Sequence, residues 1–406
     1  MKLLAAPLWV ALALAVVCVP AWAAPAPGDA GRVSERDLND LGHRFAEALN
    51  ARDAAALQKL LDLDGTSERA LARIGKDAAS WTPERRIAFR ELCRKATARN
   101  AADLLEAMTP PTSRAKHMQI LESGANRVAL VRVDLGDEGF SYLELYPSAK
   151  TSNGVRIVDV YDYARGQLGS ELEAELARAA TENLEALDAV TAPSPEVSGK
   201  RASTAFLRAV ADGEDERALA LYPGLPKELQ ENRLFLLLRV ELADGDETRH
   251  AEALAALANR FADDPSLGLV LMEHYILTGD HTGGLRNLRT VLGRLPADGL
   301  LLSMTASHHA LMGDQARAAA AARRAIETEP DFENGYFLLT DALLARSDFD
   351  GALATLGTIE KRFGYAFTPD DFETDAEYAG LVKSPAYAKW KQARAQEPPP
   401  SNVSAP

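Results

Sequence analysis

Two neighbouring stretches of the sequence carry the same turn and break signals, "ILTGDHTGGLRNLRTVLGRLP" (Ile276–Pro296) and "LMGDQARAAAAARRAIETEP" (Leu311–Pro330). In each, a Gly-Asp pair comes early and a proline comes last. The second copy of both signals follows the first by 34 residues. Self-similarity at a fixed period of this length indicates stacked structural repeats, in which each unit buries its apolar face against the next.

The repeat has a mechanical interpretation when units are counted from Pro265, Gly299 and Glu333. Mostly apolar residues at positions 4, 7 and 11 form one helical stripe, and those at positions 20, 24 and 27 form a second. The Gly-Asp pair at positions 15 and 16 predicts the end of the first helix and a capped start of the second. A small residue at position 20, such as Ala318, lets the two helices approach closely.

A 34-residue helix-turn-helix with these positions resembles the tetratricopeptide repeat. Weaker units upstream extend the pattern, so we expect an all-α solenoid similar to that family over residues 200–363. Aromatic residues in 364–394 are expected to cap its open end. The last residues, 395–406, have the composition of a disordered tail.

The resemblance also implies a partner-binding groove, because positions 2, 5 and 9 of the first helices line the concave surface in that family. By register, the groove residues are Asn232, Phe235, Arg239, Ser266, Leu269, Glu273, Leu300, Ser303, Ser307, Asn334, Phe337 and Asp341. Only Arg239 among them is cationic, so the implied partner is an apolar or mildly basic protein or peptide segment. The competing interpretation is an unoccupied, solvated surface.

The sequence before the repeats predicts a domain of a different class, with both helices and strands. Helical segments reach to about residue 108, and four β-rich runs joined by short turns then cover 117–163, which predicts an antiparallel meander packed against helices. The opening "FAEALNARDAAALQKLL" (45–61) and the meander resemble the nuclear-transport-factor-2-like, or cystatin-like, α+β roll. We therefore expect this roll over residues 33–190, then a linker over 191–199, then the repeats.

Rolls of this kind often enclose a pocket, and the last predicted strand offers candidate residues. Alternation along 155–163 places Asp159 and Tyr161 on the same face. Asp159 in apolar surroundings could act as a base with a raised pKa, and Tyr161 as a hydrogen-bond donor. The alternative is that Asp159 pairs with Arg132 or Arg127 on an adjacent strand.

The first 23 residues have the charged start, short apolar core and small-residue ending of a signal peptide, which predicts cleavage after Ala23 and a periplasmic or secreted protein. Loss of the leader leaves Cys93 as a single cysteine, expected to be buried. The histidine at repeat position 11, His309, is expected in the core.

The net charge of −14 argues against nucleic-acid partners, and no later stretch is long and apolar enough to span a membrane. No metal, phosphate-loop or nucleophile motif is present in the sequence, so no cofactor or metal is expected. The leading hypothesis is an exported, non-enzymatic protein-binding scaffold that uses the groove. The alternative is a small-molecule carrier or enzyme that uses a pocket in the roll.

Overall fold

The computed structural model describes residues 33–396, apart from 111, 137–138, 151–153, 176–194, 212 and 244. The predicted signal peptide and most of the predicted tail therefore lie outside the described residues. The described chain has an antiparallel sheet near its amino end and many helices after it. It divides into two compact units, 1–277 and 278–406, so the first helices of the predicted solenoid belong to the same unit as the sheet.

Helices precede the sheet, as the sequence predicts. They are α1 (Glu35–Asn50), α2 (Ala54–Leu60), α3 (Leu63–Ile74), α4 (Lys76–Ala79) and α5 (Pro83–Ala107). Ser34 and Asp37 form a capping box at the start of α1, and Asp53 caps α2. The side of α1 that carries Leu41 and Phe45 is buried, because the helical spacing of these residues gathers them on one face.

The sheet has five antiparallel strands in sequence order. They are β1 (Arg114–Ser123), β2 (Asn126–Asp134), β3 (Phe140–Pro147), β4 (Ile157–Asp162) and β5 (Gln167–Leu168). The predicted four-stranded meander is confirmed, and the two-residue β5 is an addition that no sequence pattern indicated. One face of the sheet packs against α1 and α2 through a common apolar core that includes Leu49, Leu57, Val131, Leu145 and Ile157.

Further helices complete the first unit. They are α6 (Pro195–Ala211), α7 (Asp215–Leu221), α8 (Lys227–Gln230), α9 (Arg233–Leu242), α10 (Glu247–Phe261) and α11 (Leu271–Leu277). α6 begins inside the predicted linker, so residues 195–199 are helical rather than linker. Proline favours the first position of a helix because the missing N–H would have no partner there, and Pro195 occupies that position.

The second unit consists of helices in the described residues. They are α12 (His281–Leu292), α13 (Gly299–Leu311), α14 (Gln315–Thr328), α15 (Asn334–Ala345), α16 (Phe349–Phe363), α17 (Pro369–Glu373), α18 (Ala379–Val382) and α19 (Pro385–Gln396). Phe372 and Tyr387, two of the aromatic residues expected to cap the repeats, are buried together with Leu381 in one cluster with Leu356 and Ile359 of α16. The apolar surface of α16 is therefore covered by the segment after it.

The turns of the repeat have the predicted conformation. Gly279, Gly313 and Ser347 share repeat position 15, and all three have positive φ, at +67°, +77° and +61°. The aspartate that follows each of them caps the next helix by accepting a backbone N–H, as Asp314 does from Arg317 at 3.0 Å. The common turn geometry explains why the Gly-Asp signal recurs in the sequence.

A histidine of α13 lies against a glycine of α12. His308 is buried, and its ring packs against Gly284, where a Cβ would lie 2.4 Å from the His308 ring carbon Cε1. Its Nδ1 lies 3.3 Å from Nδ1 of His281. Burial, and then the neighbouring His281 and His309, lower the pKa of His308 to about 4. The prediction for His309 is wrong, since His309 is partly exposed and its neighbour is in the core.

Candidate functional site

A cavity of about 150 Å³ lies in the first unit, beside the core between the sheet and the helices. Its apolar walls come from α1, α2, α5, strands β2 to β5 and the helical segment that follows β5. The apolar lining residues are Phe45, Leu57, Leu61, Ala101, Leu104, Val133, Leu135, Leu143, Ile157, Val160, Leu168, Gly169 and Leu172. The polar lining residues are Thr66, Thr97, Asn100, Ser141, Asp159, Asp162, Arg165, Gln167 and Glu173.

The long helix α5 supplies one wall of this cavity. Thr97, Asn100, Ala101 and Leu104 all line it. Residues at this spacing share one face of a helix. Part of the helical segment between residues 66 and 108 therefore shapes the cavity.

A register shift in β4 decides which side chains face the cavity. Asp159 lies opposite Tyr146 on β3, whereas Ile157 lies opposite Pro147, so one extra residue is accommodated in β4. Such a bulge exchanges the two faces of a strand. Ile157 lines the cavity before the bulge and Asp162 lines it afterwards. Uninterrupted alternation, which the sequence argument assumed, therefore does not hold.

Asp159 and Tyr161, the predicted pocket pair, are separated. Asp159 lines the cavity, whereas Tyr161 is not among the lining residues. The ring of Tyr161 instead packs edge-on against Tyr163, with centroids 4.9 Å apart. The prediction that Tyr161 acts with Asp159 in one pocket is wrong.

Asp159 is buried and forms hydrogen bonds with a neighbouring helical segment. Its Oδ1 accepts the backbone N–H of Ser170 at 3.0 Å, and its Oδ2 accepts the Ser170 hydroxyl. Burial raises the pKa of Asp159, while the bonds from Ser170 and the charges of Arg69 and Arg73 oppose that rise. Because residues 169–175 are helical, Asp159 stabilises the start of that segment.

The cations described beside Asp159 are Arg69 and Arg73 rather than the predicted Arg132 or Arg127. The nearest cationic atom described for it is Nη1 of Arg69, at 3.9 Å. Arg127 forms ion pairs with Glu35 and Glu122. Arg132 lies on β2, opposite Tyr142 of β3, and β3 separates it from β4. The sequence could not indicate Arg69, because its contact depends on the packing of α3 against the sheet.

A second buried carboxyl, Glu173, faces the cavity and was missed at the sequence level. It is 6% exposed. Burial raises the pKa of Glu173 to about 8, and the charge of Arg165 and a hydrogen bond from Cys93 oppose that rise. Burial, and then Glu173, raise the pKa of the Cys93 thiol. Cys93 is fully buried, as expected, and its raised pKa makes it a poor nucleophile.

The turn after β4 carries Arg165 and is held by α9. Arg233 donates to the carbonyl oxygens of Arg165 and Gly166, at 3.1 and 2.9 Å, and to the side chain of Gln167 at 2.8 Å. Gly166 has φ of +66°, and a Cβ there would lie 2.4 Å from the carbonyl oxygen of Ser266. Nε of Arg165 in turn lies 3.3 Å from Glu241. α9 therefore positions one charged group of the cavity.

A network on β3 and its neighbours was also missed. Glu144 is buried and accepts hydrogen bonds from Ser123, Tyr146 and Tyr163, at 2.8, 3.0 and 2.7 Å. Glu144 is not among the residues that line the cavity. Alternation in "YLELY" (142–146) could have placed Glu144 with Tyr146. The network satisfies a buried carboxyl and has a structural role.

Several of the predicted groove residues are buried. In the first unit Phe235 is fully buried and stacks on Phe206, with ring centroids 5.5 Å apart, and Leu269 is buried as well. In the second unit Leu300 and Ser303 are buried. The prediction that these four residues line an open surface is wrong, because each of them is buried.

The remaining groove residues of the first unit make local contacts. Asn232 caps α9, and Ser266 accepts a hydrogen bond from Arg233. Arg239 lies over the ring of Tyr222 and pairs with Glu252, and Glu273 lies 3.2 Å from the ring of His250. In the second unit Ser307, Asn334 and Phe337 are partly exposed and Asp341 is exposed. Each of these four side chains of the second unit is therefore at least partly accessible to solvent.

Within the described residues, no group of three or more metal-binding side chains could hold an ion, and no helix is long and apolar enough to cross a membrane. No known family model matches the chain, and no curated protein matches it.

Proposed function

We propose that the α+β domain binds a small, mostly apolar molecule in its cavity. The observation that carries this proposal is an apolar-walled cavity of about 150 Å³ with charged side chains from residues 159–173 in its lining. Ligand sites commonly combine apolar walls with a few placed polar groups. A dry apolar cavity of about this size holds a molecule such as benzene.

Binding fits the site better than turnover. Both carboxylate oxygens of Asp159 accept hydrogen bonds from Ser170, and Oδ1 also accepts the backbone N–H of Val160 at 3.1 Å. These donors occupy three of the roughly four acceptor positions of the Asp159 carboxylate, which leaves little capacity to accept a proton from a substrate, as a base must. The proposed role is therefore that of an exported carrier or sensor domain joined to helical repeats, with export resting on the predicted leader.

The helical repeats supply a second candidate function, capture of a protein segment. In the second unit Phe337 packs edge-on against Tyr365, at 5.4 Å between ring centroids, and Tyr365 stacks on Phe367. Tyr365 is 42% exposed. Exposed aromatic side chains are common anchors in protein interfaces. The resemblance to tetratricopeptide repeats supports this reading, but Phe235 is buried and cannot serve as an anchor there.

Toluene tests the cavity, because its size suits the volume and it has no polar group. We expect it to raise the thermal stability of the full chain, since a ligand that binds only the folded state stabilises it. Ala101 lines the cavity, and Ala101→Leu should fill the space and abolish this effect. Ala102→Leu is the matched control, because Ala102 is the next residue of α5 and is exposed. Equal stabilisation of wild type and Ala101→Leu by toluene would contradict the proposal.

A further inference from the structure

The charged groups of the cavity differ in how fully their hydrogen-bonding needs are met. Asp159 accepts three hydrogen bonds, two of them from Ser170. Oδ1 of Asp162 accepts the Ser141 hydroxyl at 2.6 Å and the backbone N–H of Ala164 at 2.9 Å. Both carboxylates are therefore committed to holding β3, β4 and the helical segment together. Each of them already has at least two strong hydrogen-bond donors.

The Arg165 guanidinium already interacts with carboxylates of the protein. Its Nε lies 3.3 Å from Glu241, and the charges of Glu241, Asp162 and Asp103 all favour its charged form. An anionic ligand would have to compete with these carboxylates for the guanidinium. The three carboxyl groups of the lining outnumber its one cation, so the cavity is not built for an anion.

Glu173 differs from the other charged groups. Its carboxyl is buried, and the hydrogen-bond donor described for it is the Cys93 thiol. A thiol is a weak donor, so the charged form of Glu173 lacks the strong donors that a buried carboxylate requires. Glu173 lines the cavity. It is the group in the described lining with the most to gain from a ligand that carries hydrogen-bond donors.

We propose that the ligand of this cavity is a small apolar molecule that carries an amine, and that Glu173 binds its ammonium group. This inference rests on the proposed function, because it names the chemical class that the same cavity takes. The apolar walls hold the hydrocarbon part, and the ammonium supplies the strong donors that Glu173 lacks and adds its positive charge to that of Arg165. The Cys93 thiol stays in place as a lesser partner.

Proton release follows from this binding mode. With a pKa of about 8 the free Glu173 is mostly protonated at pH 7, and a simple amine is protonated there too. The complex pairs a carboxylate with an ammonium, so the carboxyl proton leaves to the solvent. We expect close to one proton released for each ligand bound, which calorimetry in buffers of different ionisation enthalpy measures directly.

The experiment compares three probes with the same ring: toluene, benzylamine and benzoate. We expect benzylamine to bind the full chain about ten- to a hundredfold more tightly than toluene, as a hydrogen bond to a buried charged group contributes. Glu173→Gln should remove that preference and the proton release but keep toluene binding. Glu171→Gln is the control, because Glu171 lies two residues away in the same helical segment and is not part of the lining.

The outcomes separate the two proposals. Toluene binding without any preference for benzylamine would refute the amine inference and leave the proposed function standing. Tighter binding of benzoate would assign recognition to Arg165 and would likewise overturn the inference. Failure of all three probes to bind would refute both. Persistence of the amine preference in Glu173→Gln would show that another group recognises the ammonium.

Discussion

Ser347 allows the energetic cost of the repeat turn to be measured. It has a side chain at repeat position 15, where Gly279 and Gly313 have none. Its φ is +61°. The backbone bonds match those at Gly313: the N–H of the next aspartate donates over 2.9 Å to the carbonyl of His309 in one turn and of Leu343 in the other. A residue with a Cβ pays about 1–2 kcal/mol in this conformation. Glycine avoids that cost but loses about 0.5–1 kcal/mol more in chain entropy.

The difference predicts opposite effects for two reciprocal substitutions. Ser347→Gly should stabilise the second unit by about 0.5–1 kcal/mol, and Gly313→Ser should destabilise it by a similar amount. A Cβ at Gly313 would meet no atom within 4 Å, so the second effect contains no steric clash. Chemical denaturation of the full chain, followed by a probe of the second unit, measures both. Ser347→Ala is the control, since it keeps the Cβ and should leave the stability nearly unchanged.

Three results would contradict this prediction. If Ser347→Gly lowers the free energy of unfolding, or if Gly313→Ser leaves it unchanged, the shared turn geometry does not govern the repeat. An effect of Ser347→Ala as large as that of Ser347→Gly would assign the change to the hydroxyl instead of the backbone.

Three further predictions concern the core. Ala318 is buried where α14 meets its neighbours, so Ala318→Leu should overpack the interface and cost about 1–3 kcal/mol, and an unchanged melting temperature would contradict the register. Phe235→Ala should destabilise the first unit by about 3–5 kcal/mol, because the side chain is fully buried, and loss of partner binding with normal stability would restore its role as a groove anchor. The pKa of His308 is about 4 in the fold and about 6.5 in unfolded chains, so the unfolded state binds more protons between these values. The stability that neutral His308 contributes should therefore be complete above about pH 6.5 and be lost as the pH falls toward 4. The difference in the free energy of unfolding between wild type and His308→Gln, measured by denaturation at each pH, should fall over this range.

Local signals in the sequence were sufficient for much of the fold. The antiparallel meander followed from runs of β-branched and aromatic residues between turn residues, and the helix starts followed from caps such as Ser34 and Asp53. The repeat turns followed from a glycine followed by an aspartate. Each of these features depends on residues close together in the chain, which is why the sequence alone indicates them.

The candidate site depended on features that are not local. The bulge in β4 reverses which side chains face the cavity, and no residue type in "VRIVDVYDY" (155–163) marks it. Glu173 lies beyond the last predicted strand, and its role follows from burial beside Cys93, 80 positions earlier. The groove prediction failed at Phe235 because family register states which way a residue points but not what packs on it.

The hydrogen bonds that Arg233 donates to the turn after β4 have a consequence for how this chain can be divided into fragments. A fragment ending at residue 190 would stop at the linker that the sequence predicts. It would lack Arg233 and Glu241, which hold the turn around Arg165. That turn contributes to the lining of the cavity. The first helices after the apparent linker thus serve as scaffolding for the small-molecule site. Insertions or exchanges of modules would preserve the site only if they keep α9 together with the sheet.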